Sequence, residues 1–259
     1  PATRFTVGTG AETDCVTDNL TGLMWPKNGL IGFEETQHGG PIAQPNYANT
    51  YKDLNSLPWT NALIAVANMN TAPIKLCGHD DWYLPTINDL ASLLNGGEAK
   101  PGIWLNGQGF NNIQRNLSNY WSSTTYAFDN NQALGASFTN GNLAKRNKTD
   151  DSYYVWPVRR PSGVATAPAK VAMTGEVGGA IGSNQGVAWP NSRFVAGSGA
   201  TTECITDKLT GLMWPKNGII GFEETNGGGL IAQPNYTNTT TNLNILNLVD
   251  ALTAVANMN

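Results

Sequence analysis

The side chains that could do chemistry in this chain are few. Its two histidines are His38 and His79, and His79 is followed directly by Asp80 and Asp81. These residues could bind a cation, but calcium takes six to eight oxygen ligands and no DxDxDG-type loop supplies them. We favour a turn in which the Asp side chains accept hydrogen bonds from local backbone amides. Asp80 and Asp81 therefore remain candidate surface-binding residues, and neither a metal nor a cofactor is expected.

The sequence lacks the motifs of a hydrolase or a nucleotide-binding enzyme. Ser122 and Ser123 have no flanking Gly-x-Ser-x-Gly elbow, and only His38 and His79 could serve them as a base. There is no P-loop, and no Gly-x-Gly-x-x-Gly lies between a predicted strand and a predicted helix. We expect no catalytic residues and hence no enzyme.

Composition excludes two further classes of partner. The 259-residue chain has a net charge of −4, and only 13% of its residues are charged, against roughly 25% in an ordinary soluble protein. Sequence-independent nucleic-acid binding depends on Lys and Arg that neutralise phosphates, so no nucleic-acid partner is expected. No apolar run approaches the roughly 20 residues of a membrane-spanning helix. The composition favours a soluble, extracellular protein.

An internal repeat dominates the organisation of the chain. Residues 1–70 and 190–259 align without a gap at an offset of 189, and 47 of the 70 aligned positions are identical. We therefore expect a complete domain at 1–161, a Gly/Ala-rich linker at 162–189, and the first half of a second copy at 190–259. Missing sequence or another chain would complete that second copy. The simplest interpretation of the repeat is that the sequence is a segment of a longer tandem array.

The repeat also explains the odd number of cysteines. Cys15 and Cys204 occupy the same position in the two copies, and Cys77 has no counterpart before the last residue. We predict a Cys15–Cys77 disulfide and an unpaired Cys204, which would place the protein outside the reducing cytosol. The alternative is three buried free thiols that behave as small apolar side chains.

Two helices and a set of strands must position these residues. Apolar residues at helical spacing predict a helix after Pro58: Trp59, Ala62, Leu63, Val66 and Met69. A second helix is predicted from Thr86, which forms a capping box with Asp89, to Gly96 as its C-cap. Strands are predicted over 4–7, 14–17, 23–25, 120–126, 133–138 and 153–159. Two helices and antiparallel strands make an α+β domain.

Most of the tryptophans are expected in the core. Five of them lie at core spacing on predicted elements: Trp25, Trp59, Trp82, Trp121 and Trp156. Trp104 lies in a predicted loop over 101–110 and is therefore the candidate for an exposed aromatic binding platform.

Four motifs occur in a characteristic order along the chain. They contain TGLMW at 21–25, DWYLPT at 81–86, YWSST at 120–124 and YVWPVR at 154–159. In this combination the chain resembles the Lcl C-terminal domain family, bacterial domains named for the C-terminal domain of a collagen-like adhesin. The resemblance covers about residues 1–161, and 190–259 resemble the first half of the domain. It implies a C-type-lectin-like fold and a noncatalytic, often adhesive, extracellular or cell-surface role.

Two functions remain open. The 189-residue period and the charge-poor surface favour a structural repeat subunit of an extracellular bacterial fibre or surface array. Its partners would be neighbouring copies of itself, joined head-to-tail. The resemblance alone favours the alternative, an adhesive or glycan-binding surface module. Polyanion binding is not carried over from the family, because a chain with a net charge of −4 is poorly suited to it.

Overall fold

The computed structural model describes residues 3–30, 56–73, 75–114, 119–150, 153–161 and 167–216, together with Leu252. The chain divides into two compact units, Pro1–Ala188 and Trp189–Asn259. Helices and mainly antiparallel strands make the first unit a mixed α+β domain, as predicted. Within the described ranges, no helix has the length and apolar character that a bilayer crossing requires.

A three-stranded antiparallel sheet, the first-unit sheet, opens the chain. It consists of β1 (Phe5–Val7), β2 (Cys15–Asp18) and β3 (Leu23–Pro26), adjacent in that order. The TGLMW motif predicted the buried strand β3, all four residues of which are covered. Gly22 makes the turn before β3 with a φ of +74°, which a residue with a side chain rarely adopts.

The first long helix follows the short strand β4 (Ser56–Leu57). This helix, α1 (Trp59–Thr71), begins after Pro58 and buries Trp59, Ala62, Val66 and Met69, the apolar face that the sequence predicted. The same face recurs in the sequence at an offset of 189, where it contains Leu248, Leu252 and Val255. Leu252 is exposed, and the other two lie outside the described residues.

The second helix, α2 (Ile87–Ser92), begins at the predicted capping box. Thr86 Oγ1 accepts a hydrogen bond from the Asp89 amide at 3.1 Å, and the Asp89 carboxylate accepts one from the Thr86 amide at 3.0 Å. The prediction that Gly96 ends this helix is wrong. The amides of Leu93 and Leu94 bond to carbonyls three residues back, so the helix tightens and ends at Ser92.

A third helix, α3 (Pro101–Asn106), replaces the loop predicted over 101–110. Pro101 stands at the first helical position, where its missing N–H costs nothing, and Leu105 is buried. Six residues give too few turns for a periodic apolar pattern, so the sequence did not indicate this helix.

The remaining strands form a five-stranded sheet. They are β5 (Tyr120–Thr125), β6 (Gln132–Ala136), β7 (Leu143–Asn147) and β8 (Tyr153–Tyr154), and the order across the sheet is β4-β8-β5-β6-β7. The predicted strand 153–159 is shorter than expected because Pro157 has no N–H to donate. Beyond it, Val158 and Arg159 make isolated backbone pairs with Tyr83 and Met24. Strand β7 is largely exposed and has no apolar alternation, so only the turn over 139–142, which fits a hairpin after the predicted strand 133–138, indicated it; β6 and β7 form that hairpin.

The described part of the segment interpreted as a linker packs on the first unit. Val171 is buried in the same cluster as Trp25 and Trp156, and its carbonyl accepts a hydrogen bond from the Val187 amide at 2.9 Å. Two residues before Val171, the Ala169 amide donates to the Leu20 carbonyl at 2.9 Å. A Gly- and Ala-rich composition indicated flexibility, but backbone hydrogen bonds and one apolar side chain hold the segment in place.

Replacing Val171 with alanine is expected to lower the free energy of unfolding by about 1–2 kcal/mol, because two buried methyl groups are lost. Val171 is 8% exposed. Val177→Ala is the matched control, since Val177 is 97% exposed and its truncation should change stability by less than about 0.5 kcal/mol. Urea unfolding of both variants measures the difference, and equal effects would contradict the packing of this segment.

The described part of the second unit is a second three-stranded antiparallel sheet, the second-unit sheet. It consists of β9 (Phe194–Ala196), β10 (Cys204–Asp207) and β11 (Met213–Pro215), with β10 in the middle. These strands correspond to the first-unit sheet at the offset of 189.

Candidate functional site

The first-unit sheet is held in shape by an ion pair at its edge. Arg4 Nε and Nη2 donate to the two carboxylate oxygens of Asp18 at 3.1 and 2.9 Å. Asp18 also accepts hydrogen bonds from the Leu20 amide at 3.0 Å and from Thr21 Oγ1 at 2.9 Å. One buried carboxylate therefore ties β1 to the turn that leads into β3.

The second-unit sheet repeats this arrangement. Arg193 Nε and Nη2 donate to the two carboxylate oxygens of Asp207, both at 2.8 Å. The Leu209 amide and Thr210 Oγ1 donate to the same carboxylate, each at 3.0 Å. The Arg193 hydrogen bond holds the pKa of Asp207 well below its ordinary value, against the opposing effect of burial.

The strand registers of the two sheets are also the same. In the first-unit sheet Val16 lies opposite Trp25. In the second-unit sheet Ile205 lies opposite Trp214. Because register decides which side chains share a face, the two sheets place equivalent residues side by side.

The two sheets differ in what covers them. Four apolar residues of the first-unit sheet are at most 9% exposed: Phe5, Leu23, Met24 and Trp25. Their counterparts are between 53% and 58% exposed: Phe194, Leu212, Met213 and Trp214. We call these four counterparts the open face. Scattered apolar residues are normal on a surface, but four on one small sheet form a patch that marks an interaction site.

In the first unit, the counterpart of the open face is covered by other residues. The Trp156 ring lies 5.2 Å from the Trp25 ring, and Trp156 Nε1 donates to the Pro26 carbonyl at 2.9 Å. The backbones of Met24 and Arg159 exchange two hydrogen bonds, each 3.0 Å long. Trp156 and Arg159 lie in the part of the first unit from 76 to 161, which we call the covering half.

A disulfide joins the first-unit sheet to the covering half. Cys15 on β2 is bonded to Cys77, with the two Cα atoms 6.4 Å apart, within the usual range for disulfides. Cys204, the counterpart of Cys15, is a free and half-buried thiol on β10. The sequence predicted this pairing of the three cysteines.

The His79-Asp80-Asp81 run does not converge on one point. His79 Nε2 lies 3.0 Å from Glu12 Oε1, whereas Asp81 forms a bidentate ion pair with Arg159 at 2.6 and 3.1 Å. Asp80 is exposed. In the part of the chain that the structure describes, no three His, Cys, Asp or Glu side chains are grouped to hold a metal ion. Asp81 thus pairs with Arg159 inside the covering half rather than pointing to a ligand.

Replacing Asp81 with asparagine is expected to flatten the acid limb of the stability profile. Burial opposes ionisation of Asp81, but the hydrogen bond and charge of Arg159 outweigh it and lower the pKa of this carboxyl. A lowered pKa gives a stabilisation that is present above the unfolded value of about 3.9 and lost as pH falls through the folded value. Because Asp81 is about half exposed, the loss should stay below about 1 kcal/mol.

Thermal unfolding between pH 2 and 6 measures this effect. Asp80→Asn is the matched control, because the neighbouring carboxylate is exposed. If both variants kept the acid dependence of the unchanged protein, the Asp81–Arg159 pair would have no part in it.

Trp104 is not the exposed platform that the sequence suggested. It lies on α3, is partly buried and packs against the core, with its ring centroid 5.7 Å from that of Phe5. The Arg4 guanidinium lies 5.8 Å from the same ring. The short helix that the sequence did not indicate turns this side chain inward.

The two serines weighed as nucleophiles are fully buried in β5. Ser122 Oγ donates to the Leu134 carbonyl at 2.7 Å, and Ser123 Oγ lies 3.3 Å from the Pro85 carbonyl. Both hydroxyls therefore serve the packing of the sheet.

A surface groove of about 1040 Å³ lies beside the five-stranded sheet and was not predicted. Its wall includes Tyr126, Lys148, Glu176 and Phe128, whose ring is 91% exposed. Partial burial lowers the pKa of the Lys148 amine, which lies 4.0 Å from the Trp59 ring. The groove was missed because residues 174–180, read as linker, form one wall. Phe128 in a polar turn was the one signal in the sequence.

Comparison with known proteins identifies one family. The Lcl C-terminal domain matches residues 14–159, more than half of the chain. The match begins one residue before Cys15 and ends at Arg159, so it contains both ends of the contact between β3 and the covering half. No curated protein matches the chain. The chain therefore belongs to the Lcl C-terminal domain family.

Proposed function

We propose that this protein is a noncatalytic structural repeat subunit of an extracellular bacterial fibre or surface array. The observation that carries the proposal is the open face on the second-unit sheet, whose counterpart in the first unit is buried by the covering half. A soluble protein seldom leaves such a patch in water, so the face calls for a covering surface, which further sequence or another chain would supply. A contact between different surfaces of like units repeats from unit to unit, and it builds an open filament when its rotation does not close a ring.

An extracellular location is supported by the Cys15–Cys77 disulfide, because such bonds persist in oxidising surroundings. Family membership supports the same location. It also favours a C-type-lectin-like fold for the first unit, with which the small antiparallel sheets and the short helices agree. The role of Ser122 and Ser123 in packing favours a noncatalytic function.

The test is the association state of the full chain. Sedimentation at rising concentration should give an open-ended series of oligomers, and negative-stain microscopy should show filaments. Free monomers or closed dimers at every concentration would rule out the fibre.

The surface groove favours a second candidate, an adhesive or glycan-binding module. The exposed Phe128 ring could stack on a sugar ring, and the neighbouring Tyr126 and Asn130 offer a further ring and an amide. Titration with neutral polysaccharides tests this function. Phe128→Ala should weaken binding at least tenfold, whereas Phe194→Ala, an exposed ring on the second-unit sheet, should not change it. Equal binding by both variants would remove the groove from consideration.

A further inference from the structure

We infer that the second-unit sheet docks on the covering half of a second copy of this chain, where Cys204 replaces Cys15 as the disulfide partner of Cys77. This inference rests on the proposed self-association and specifies its contact. The receiving copy gives up its own first-unit sheet, which leaves the covering half.

The first step of the argument is that the two sheets are interchangeable modules. The four apolar residues of the open face are identical in type to their counterparts in the first-unit sheet. The Arg–Asp pair, the turn and the strand register are also the same. The only change at the fully buried position Val16 is one additional methyl group, in Ile205. A surface that accepts one sheet therefore accepts the other.

The second step is that the covering half offers contacts that do not depend on side-chain differences. Arg159 pairs with the backbone of Met24, and Trp156 donates to the Pro26 carbonyl. Met213 and Pro215 place the same backbone groups at the same positions of the second-unit sheet. The hydrogen bonds that the departing sheet loses at Met24 and Pro26 can thus be formed again by the arriving one, whereas the His79–Glu12 contact is lost because Thr201 stands at the position of Glu12.

The third step is the sulfur chemistry, which needs no external oxidant. The Cys204 thiolate attacks Cys77 Sγ of the receiving copy, and the new bond forms as the Cys15–Cys77 bond breaks. Cys15 leaves as a thiolate and takes up a proton. One thiol and one disulfide are present before the exchange and after it. Each receiving copy still carries its own Cys204, so the exchange continues from chain to chain.

Burial sets the condition for this exchange. Cys15 is fully buried and Cys77 is almost so, so the sulfur atoms become accessible only when the first-unit sheet separates. Exchange should therefore be slow in the folded state and at least tenfold faster in a denaturant concentration that opens the first unit.

The experiment uses the full chain at pH 8 without added oxidant. Concentrated protein is held in moderate urea, returned to buffer and alkylated with N-ethylmaleimide. Non-reducing electrophoresis should show a ladder of linked oligomers, and mass spectrometry should find a Cys204–Cys77 peptide between chains together with alkylated Cys15. Cys204→Ser should abolish the ladder. Trp214→Ser keeps the thiol but alters the open face, so it should reduce the ladder at least tenfold.

Several outcomes would overturn the inference. These are a chain in which only Cys204 is alkylated, a Cys204–Cys204 link, a Cys204–Cys77 link confined to one chain, and a ladder that Trp214→Ser leaves unchanged. Filaments that form equally well from the Cys204→Ser, Trp214→Ser double variant would sustain the proposed fibre and overturn this contact. Absence of both filaments and ladder would overturn both.

Discussion

Trp25→Ala is expected to lower the free energy of unfolding of the first unit by about 3–5 kcal/mol, whereas Trp214→Ala should change stability by less than about 0.5 kcal/mol. The two tryptophans stand in the same eight-residue motif, TGLMWPKN. Trp25 is fully buried against Trp156, but Trp214 is half exposed on the open face. The difference between the two variants therefore separates the effect of burial on stability from the effect of the local sequence.

Urea unfolding of monomeric protein at low concentration measures both variants, with near-UV circular dichroism as the probe of the tryptophan environment. Losses of similar size would mean that the second-unit sheet is also covered. The open face would then be absent, and the proposed function would lose the observation that carries it.

Removing the disulfide with the double variant Cys15→Ala, Cys77→Ala should lower the free energy of unfolding by about 4 kcal/mol. The two residues are 62 positions apart, and closing a loop of that length in the unfolded chain accounts for a stabilisation of this size. Cys204→Ala is the matched control, because its thiol is free in the structure and its loss should be close to neutral.

Thermal and denaturant unfolding in the absence of reductant compare the three proteins. Added dithiothreitol should bring the unchanged chain to the stability of the double variant. A double variant as stable as the unchanged chain would show that the disulfide does not constrain the first unit.

The elements that the sequence predicted well carry strong local signals. The helix α1 has a full apolar face, and α2 has a capping box whose two reciprocal hydrogen bonds are both present. The strand β3 is a continuous apolar run closed by Pro26. Each of these signals arises from residues within one or two turns of each other, so neighbouring sequence is sufficient to reveal it.

The elements that were missed depend on distant contacts. Strand β7 is an intermediate case: the Asn140-Gly141 turn indicated a hairpin with β6, but the mostly exposed side chains of β7 did not mark the strand itself. The segment around Val171 is held by the core of the first unit, and its Gly- and Ala-rich neighbours conceal that. The candidate site residues show the same contrast. The repeat was sufficient to predict the cysteine pairing. The inward position of Trp104 depends on α3, a helix too short to be recognised from the sequence.

The Arg193–Asp207 pair affects the range of pH over which the second-unit sheet keeps its structure. Because Arg193 holds the pKa of Asp207 below its ordinary value, the pair stays ionised down to pH values below about 4, where a free carboxylate would be protonated. The sheet is also fixed internally before it meets a partner, so little ordering remains to oppose association. A joint of this kind behaves as a rigid plug rather than as a segment that folds on contact. In the proposed fibre, such a plug would keep its charge pair and its shape in acidic surroundings.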